Sequence, residues 1–115
     1  MDQRRTNKIS RLIQKELGQM FQEETQTMRG VMISVTEVRV TPDLSSARVY
    51  LSIFPDEQSD HLLNQIKNNS SSIRGELGNR IRSQVRHIPE LIFEKDMSEE
   101  YARRIDQLLD GIREE

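Results

Sequence analysis

The 115-residue chain contains no cysteine and no tryptophan, and only five of its residues are aromatic. Without cysteine, disulfide bonds and thiolate chemistry are excluded, and the chain is compatible with a reducing compartment. No apolar run approaches the roughly 20 residues of a membrane-spanning helix, and the first residues are too polar for a secretory signal. We therefore predict a cytoplasmic monomer with one small domain and no membrane partner.

The residue patterns of common catalytic and metal sites are also missing. The two histidines, His61 and His87, lie on different predicted helices and do not have the spacing of metal ligands. There is no glycine-rich phosphate loop and no nucleophile elbow. Clustered acids such as Glu99 and Glu100 have the arrangement of solvated helix faces. We predict no enzymatic activity, no cofactor, no metal and no small-molecule substrate.

The charges of the chain are strongly segregated although the net charge is only −2. Segments 1–15 and 61–89 each carry five lysines and arginines against one acid, which gives +4 for each segment. Segment 90–115 carries nine acids against four basic residues, which gives −5. Segregated charge of this kind favours an electrostatic binding surface for a polyanion such as RNA.

The first basic segment lies in a predicted helix over residues 3–24. Six apolar residues recur there at helical spacing: Ile9, Leu12, Ile13, Leu17, Met20 and Phe21. A step of 100° per residue places four cations in one arc opposite this apolar stripe: Arg4, Lys8, Arg11 and Lys15. The apolar side can therefore pack while these four cations face outward together.

Two strands follow, each rich in β-branched residues. In the first, the alternation of apolar residues changes phase near Thr36 and Glu37, which predicts a bulge. In the second, alternate residues from Ala47 to Ile53 share one face. The turn residues of segment 41–46 join the two strands as a hairpin.

The second half of the chain reads as helix, break, basic helix, strand and helix. Ser59 or Asp60 is the predicted cap of a helix that reaches residue 67, and five poor helix formers at 68–72 then predict a break. A basic helix is predicted from Ile73 to Pro89, with Gly78 allowing a close approach to the sheet. Segment 90–95 is a third strand, and a final helix runs from Met97 to about residue 112, capped by Asp96 or Ser98.

This order of elements predicts an α+β fold in which a three-stranded sheet carries helices on one face. The helix, bend and helix before the last strand resemble a KH domain of the prokaryotic type, also called type II. We assign residues 1–96 to this KH-like RNA-binding domain. Residues 97–115 form an acidic C-terminal helix appended to it, which could cover the sheet or the basic helix and limit nonspecific RNA binding.

Three sequence pieces, in the same order, give a closer resemblance. Segment 41–52, TPDLSSARVYLS, resembles the hairpin signature of the ribosome-binding factor A family. Segments 73–78 and 88–93 resemble that family's later motifs, and segment 4–17 is similar to its first helix. The resemblance implies a cytoplasmic factor that binds free small (30S) ribosomal subunits and assists late subunit maturation and 16S rRNA processing without catalysis. Free 30S subunits and 16S rRNA are the partners it implies.

The chain departs from the family at two places. Asn69, Ser70 and Ser71 stand where the family has an Ala-x-Gly bend, and the stretch from Gly78 to Pro89 is about two residues longer than the family pattern. KH domains use a glycine loop at this bend to contact the nucleic acid backbone. The candidate RNA-binding residues are therefore the cations and the bend: Arg4, Arg5, Lys8, Arg11, Lys15, Asn69, Ser70, Ser71, Arg80, Arg82 and Arg86.

Other interpretations of these residues stay open at the level of sequence. The cations can form a solubilising face, the bend can be an ordinary loop, and Arg74 lies closest to the apolar side of its helix and is expected to be structural. The main alternative function is a protein-interaction module whose basic faces dock an acidic partner. A basic helix lying on anionic lipid is a further alternative. Phe21 and Phe93 are expected in the core, which leaves few aromatic side chains to stack on bases.

Overall fold

The structure is a computed structural model that describes residues 3–113. Its elements follow the predicted order, with one 3₁₀ turn at Asp56–Gln58. In chain order they are α1 (Gln3–Thr25), β1 (Met32–Val40), β2 (Ser46–Phe54), α2 (Ser59–Asn68), α3 (Ser70–Ile81), β3 (Glu90–Lys95) and α4 (Ser98–Arg113). None of the helices within residues 3–113 is long and apolar enough to cross a membrane.

The three strands form one sheet in the order β1-β2-β3. β1 and β2 are antiparallel, whereas β2 and β3 are parallel. The register of the hairpin shifts between Val35 and Glu37, which confirms the predicted bulge. The α+β prediction with helices on one face is confirmed.

The core lies between the sheet and the layer formed by α1, α2 and α3. Ile13, Leu17, Leu51, Leu77 and Ile81 are completely buried in it, because α1 packs against β1 and α3 packs against β3, each through its apolar stripe. Phe21 and Phe93 are also buried and meet edge to face, with ring centroids 6.2 Å apart. Such an aromatic pair contributes about 0.5–1.5 kcal/mol beyond the burial of its area.

The break between α2 and α3 is one residue long, so the predicted break over residues 68–72 is wrong. Asn69 ends α2 because its side-chain amide donates to the carbonyl of Gln65 at 2.8 Å and its backbone N–H bonds to the last turn. Ser70, Ser71 and Ser72 then form the first turn of α3. Serine is a poor residue for a helix interior but is well tolerated at a helix start.

The predicted caps of α2 are also wrong. Ser59 is the first helical residue, and it is buried with its hydroxyl donating to the carbonyl of Asp56 at 2.8 Å. The 3₁₀ turn therefore leads directly into α2. Gln58 occupies the cap position without a side-chain hydrogen bond.

α3 ends at Ile81, and the prediction that it continues to Pro89 is wrong. Segment 82–88 forms turns and bends, and Val85 is buried there although it is not helical. The segment folds back against α3, so that a Cβ atom at Gly78 would lie 3.3 Å from Cγ1 of Ile88. Gly78 thus permits a close approach to the returning chain and not to the sheet.

α4 leaves the body of the molecule. The carboxylate of Asp96 accepts the N–H of Ser98, the first residue of α4, at 2.8 Å, so Asp96 bonds to the start of the helix while Met97 occupies the cap position. Residues 101–111 are exposed along the whole helix, so in this structure α4 covers neither the sheet nor α3. The radius of gyration is 16.6 Å, whereas a compact chain of this length has about 13 Å.

Candidate nucleic-acid interface

The predicted cations of α1 form an exposed face on the side opposite the buried Ile13 and Leu17. Lys8, Arg11 and Lys15 are exposed and form no ion pair with a described residue. Arg4 and Arg5 are exposed one turn closer to the start of the helix. The packing of the apolar stripe on the sheet therefore leaves the charges of Lys8, Arg11 and Lys15 available to an external anion.

Arg80 of α3, in contrast, is held by three acids. Its guanidinium lies 2.8 Å from the carboxylate of Glu23, 3.5 Å from that of Glu76 and 3.8 Å from that of Glu16. The hydrogen bond to Glu23 raises the pKa of Arg80, and the side chain is only 24% exposed. Arg80 joins α1 to α3, and its charge is already neutralised inside the protein.

Arg74 also has a partner within the fold. Its Nη2 donates to the carbonyl of Ile88 at 2.5 Å, and its Nε lies 3.1 Å from the carbonyls of Ile88 and Pro89. This contact fastens segment 82–88 to α3 just before β3 begins. Arg74 is structural, as its position near the apolar side of the helix indicates.

Arg82 and Arg86 lie in the turn after α3, where they are exposed and form no ion pair with a described residue. The start of α3, at Ser72, borders a groove together with the last turn of α1 at Glu24. Further along α3, Arg80 reaches back to Glu16. The two helices therefore run in opposite directions, and the end of α3 lies toward the basic half of α1, whereas segment 82–88 turns back along α3 until Ile88 meets Arg74.

Asn69, Ser70 and Ser71 lie at a different place, at the junction of α2 and α3. Two adjoining grooves of about 360 and 270 Å³ run there beside β3. Ser70 and Leu91 line both grooves, Arg74 and Glu90 line the first, and Lys67 lines the second. No side chain caps the start of α3, and the free N–H groups of a helix start favour an anion.

The candidate residues thus separate into two groups. We call Arg4, Arg5, Lys8, Arg11, Lys15, Arg82 and Arg86 the cationic patch. We call Asn69, Ser70 and Ser71 the helix junction. The opposite end of α1, near Met20 and Thr25, faces the start of α3, so the patch and the junction lie toward different ends of the helical layer, with Arg80 between them.

The sequence analysis missed the acids that hold Arg80. Glu16 and Glu23 are seven positions apart on α1, which places them on one face of that helix. The seven-residue spacing indicates that Glu16 and Glu23 share one face of α1. No local feature of the sequence indicates that this face contacts α3. Among residues 3–113, no group of three or more histidine, cysteine or acidic side chains could hold a metal ion.

The open face of the sheet carries two further arginines, and both have acidic neighbours. Arg39 donates to Glu37 at 3.1 Å and lies over the ring of Tyr50, 5.7 Å from its centroid. Arg48 lies 3.8 Å from Glu94. This face is therefore a weaker anion site than the cationic patch.

Several known proteins are similar to this chain in sequence. The family model for ribosome-binding factor A matches residues 5–109. Ribosome-binding factor A of Cytophaga hutchinsonii is 44% identical over 97% of this chain and 85% of the relative. The protein of the same description from Desulfitobacterium hafniense is 35% identical, over 100% of this chain and 91% of the relative.

Solved structures agree as well. The crystal structure of ribosome-binding factor A from Thermus thermophilus has a TM-score of 0.62 and 19% identity, over 78% of this chain and 94% of that one. A homology model of the Thermus thermophilus protein, fitted into a cryo-EM map of a 30S–RbfA complex, has a TM-score of 0.55 and 24% identity, over 75% of this chain and 93% of that one. On the family match and the relatives above, this chain belongs to the ribosome-binding factor A family.

Proposed function

We propose that this chain binds free small ribosomal subunits in the cytoplasm and assists late 30S maturation and 16S rRNA processing without catalysis. Its family and the Thermus relative fitted into a 30S complex support this proposal. The main structural support for this proposal is the cationic patch. Five of its members are exposed and form no ion pair with a described residue: Lys8, Arg11, Lys15, Arg82 and Arg86. We infer that residues 1–96 bind the RNA.

Binding follows from the chemistry of phosphate. Lysine and arginine that meet RNA phosphates release condensed counterions, so the affinity falls steeply as salt rises. Arginine adds specificity because its planar guanidinium forks onto two oxygens. The helix junction offers backbone N–H groups and short hydroxyls to a second stretch of the RNA backbone. In this proposal the two grooves beside β3 hold that second stretch of backbone next to Ser70.

Recognition by shape and charge is favoured over base reading. Phe21 and Phe93 are buried in the core, so stacking partners for bases are few. A folded rRNA surface presents phosphates in fixed positions, which suits separate groups of contacts better than a single unstructured strand. The acidic segment 97–115 limits nonspecific RNA binding in this proposal, because it repels RNA that does not fit.

A charge-reversal experiment tests the proposal. Lys8→Glu with Arg11→Glu removes two phosphate contacts and adds repulsion, so we expect binding to purified small subunits to weaken by roughly 100-fold or more at 0.1 M salt. Arg29→Glu with Arg48→Glu, at two exposed positions outside the cationic patch and outside segment 97–115, changes the net charge by the same amount and serves as the control. Fluorescence anisotropy of the labelled full-length chain gives the affinities.

Equal weakening in both variants would mean that only net charge matters and would contradict a defined patch. In cell extracts the protein should sediment with free small subunits, and cells carrying the Lys8 and Arg11 variant should accumulate unprocessed 16S rRNA. Wild-type binding to small subunits, with none to naked 16S rRNA, would instead favour the docking of an acidic protein partner.

A further inference from the structure

Among the side chains whose burial the structure describes, the exposed large apolar ones fall on two surfaces. Within residues 3–113, one surface is the outer side of the sheet, which we call the open sheet face: Met32, Phe54 and Ile92. The other, which we call the α4 stripe, follows one side of the last helix: Met97, Tyr101, Ile105, Leu108 and Leu109. The α4 stripe is contiguous, and contiguous exposed apolar surface usually marks a contact; on the open sheet face Met32 and Phe54 lie at one end, and Ile92 lies beside Arg48 nearer the other.

The members of the open sheet face share one side of the sheet because of their register. Met32 is paired with Phe54, and Ile92 is paired with Arg48. Arg48 and Phe54 belong to the outward set of β2, whose inward residues are buried. Helices α1, α2 and α3 fill the inner side, so the outer side is the uncovered one.

The link between β3 and α4 is two residues long. The carboxylate of Asp96 accepts the hydroxyl of Thr36 at 2.6 Å and the N–H of Ser98 at 2.8 Å. A capped link of two residues between a strand and a helix is a common geometry for returning a helix over its own sheet. The short link would therefore allow α4 to fold back over the open sheet face, although α4 does not cover that face in this structure.

The dimensions of the two surfaces also match. Three strands spaced by about 4.8 Å give a face whose width one helix, about 10–12 Å in diameter, can cover. A helix of 16 residues is about 24 Å long, and a strand of nine residues is about 30 Å long. One helix therefore covers most of the open sheet face.

We propose that α4 is a strap that closes over the open sheet face by a hinge motion at Asp96 and Met97. Ile92 lies three residues, or about 10 Å, before the end of β3, and this distance corresponds to about seven residues of helix. Closure therefore places Ile105 over Ile92 and leaves Met97 toward Phe54. The two-residue tether keeps the stripe at a high effective concentration near the sheet.

Disulfide trapping tests the strap, because the natural chain has no cysteine that could interfere. The variant Ile92→Cys with Ile105→Cys should form an intramolecular disulfide under mild oxidation at micromolar protein. The control Ile92→Cys with Arg103→Cys carries its second thiol on the opposite side of α4 and should form it at least 10-fold more slowly. X-ray scattering of the trapped chain should show a radius of gyration below 16.6 Å.

Equal rates in the two variants would overturn the proposal, since an unattached helix presents both sides alike. A disulfide-linked dimer as the main product would overturn it too, because the occupant of the open sheet face would then be a second copy. Both outcomes are separable by non-reducing electrophoresis at several protein concentrations.

A fluorescence measurement does not depend on disulfide geometry. Ile92→Trp places the single tryptophan of the chain on the open sheet face. Adding Leu108→Asp should shift its emission to longer wavelength, because the strap opens and water reaches the ring. Adding Gln107→Asp, with the same charge change at the neighbouring position, should leave the emission unchanged. An emission that is identical in both variants would contradict closure.

Discussion

α1 and α3 both carry basic residues, yet the fold uses their charges in different ways. On α1, Lys8, Arg11 and Lys15 have no acidic partner among the described residues. On α3, Arg80 is held by three carboxylates and Arg74 is bonded to backbone carbonyls. The number of basic residues in a segment therefore does not measure its capacity to bind RNA. The placement of acids and carbonyls around each cation decides it.

The largest expected effect is on the salt dependence of binding. Replacing Lys8 and Arg11 with glutamine removes two phosphate contacts, so the slope of log affinity against log salt should fall by roughly 1.4–1.8. Arg80→Gln should leave the slope almost unchanged, because its charge is already neutralised by Glu23. Titrations of small subunits at four salt concentrations would measure both slopes.

If Arg80→Gln lowered the slope as much as the replacement of one α1 cation by glutamine, Arg80 and the α1 cations would contribute equally to binding. The difference proposed between the two helices would then be wrong. The folded state of each variant should be checked by circular dichroism. The loss of Arg80 leaves Glu16, Glu23 and Glu76 close together without their shared cation, so that variant should have the lower unfolding temperature.

Arg74 should affect stability and not binding. Arg74→Ala removes charge-assisted hydrogen bonds to the carbonyls of Ile88 and Pro89, which we expect to cost about 1.5–3 kcal/mol in the free energy of unfolding. Arg74→Lys should recover only part of this, because an ammonium group cannot fork onto two carbonyls. Urea unfolding gives the values, and Arg82→Ala, a matched control, should change stability by less than about 0.5 kcal/mol.

If Arg74→Ala unfolds at the same urea concentration as the wild type, its contacts with segment 82–88 contribute nothing to stability. If it weakens RNA binding while the fold stays intact, Arg74 belongs with the cationic patch.

The smallest effect concerns Asp96 at the hinge of α4. Hydrogen bonds from Ser98 and then Thr36 lower the pKa of Asp96. The folded state therefore gains stability from Asp96 above the ordinary pKa of about 3.9, and that gain is lost as the pH falls through the lower folded value. Thr36→Val removes one donor, so the pKa should rise toward, but not reach, the ordinary value. Carboxyl NMR titration would measure it, and an unchanged pKa would mean that Thr36 does not bond to Asp96 in solution.

The sequence predicts the elements whose periodicity is continuous. The stripe from Ile9 to Phe21 marks α1 to within a residue, and the alternation in β2 assigns each side chain to its face. The bulge could be predicted from the sequence because the alternation of apolar residues changes phase at Thr36. These features depend on neighbours in the chain, so local sequence contains them.

The ends of α2 and α3 depend on contacts that local sequence does not contain. Val85 and Ile88 continue the helical spacing of Leu77 and Ile81, yet the chain turns at Arg82 because Arg74 fastens the carbonyls of Ile88 and Pro89. Ser70 is a poor interior residue but begins α3 without difficulty. Two of the acids around Arg80, Glu16 and Glu23, come from a helix more than 50 residues earlier, so their pairing with Arg80 is visible only in three dimensions.

The cationic patch draws Lys8 and Arg11 from the beginning of the chain and Arg82 and Arg86 from its later part. Only the folded chain fixes the distance between these two parts, because more than 60 residues separate them in the sequence. If the proposed function is right, an unfolded copy would present the same cations to RNA without their fixed spacing and would bind more weakly than the native protein.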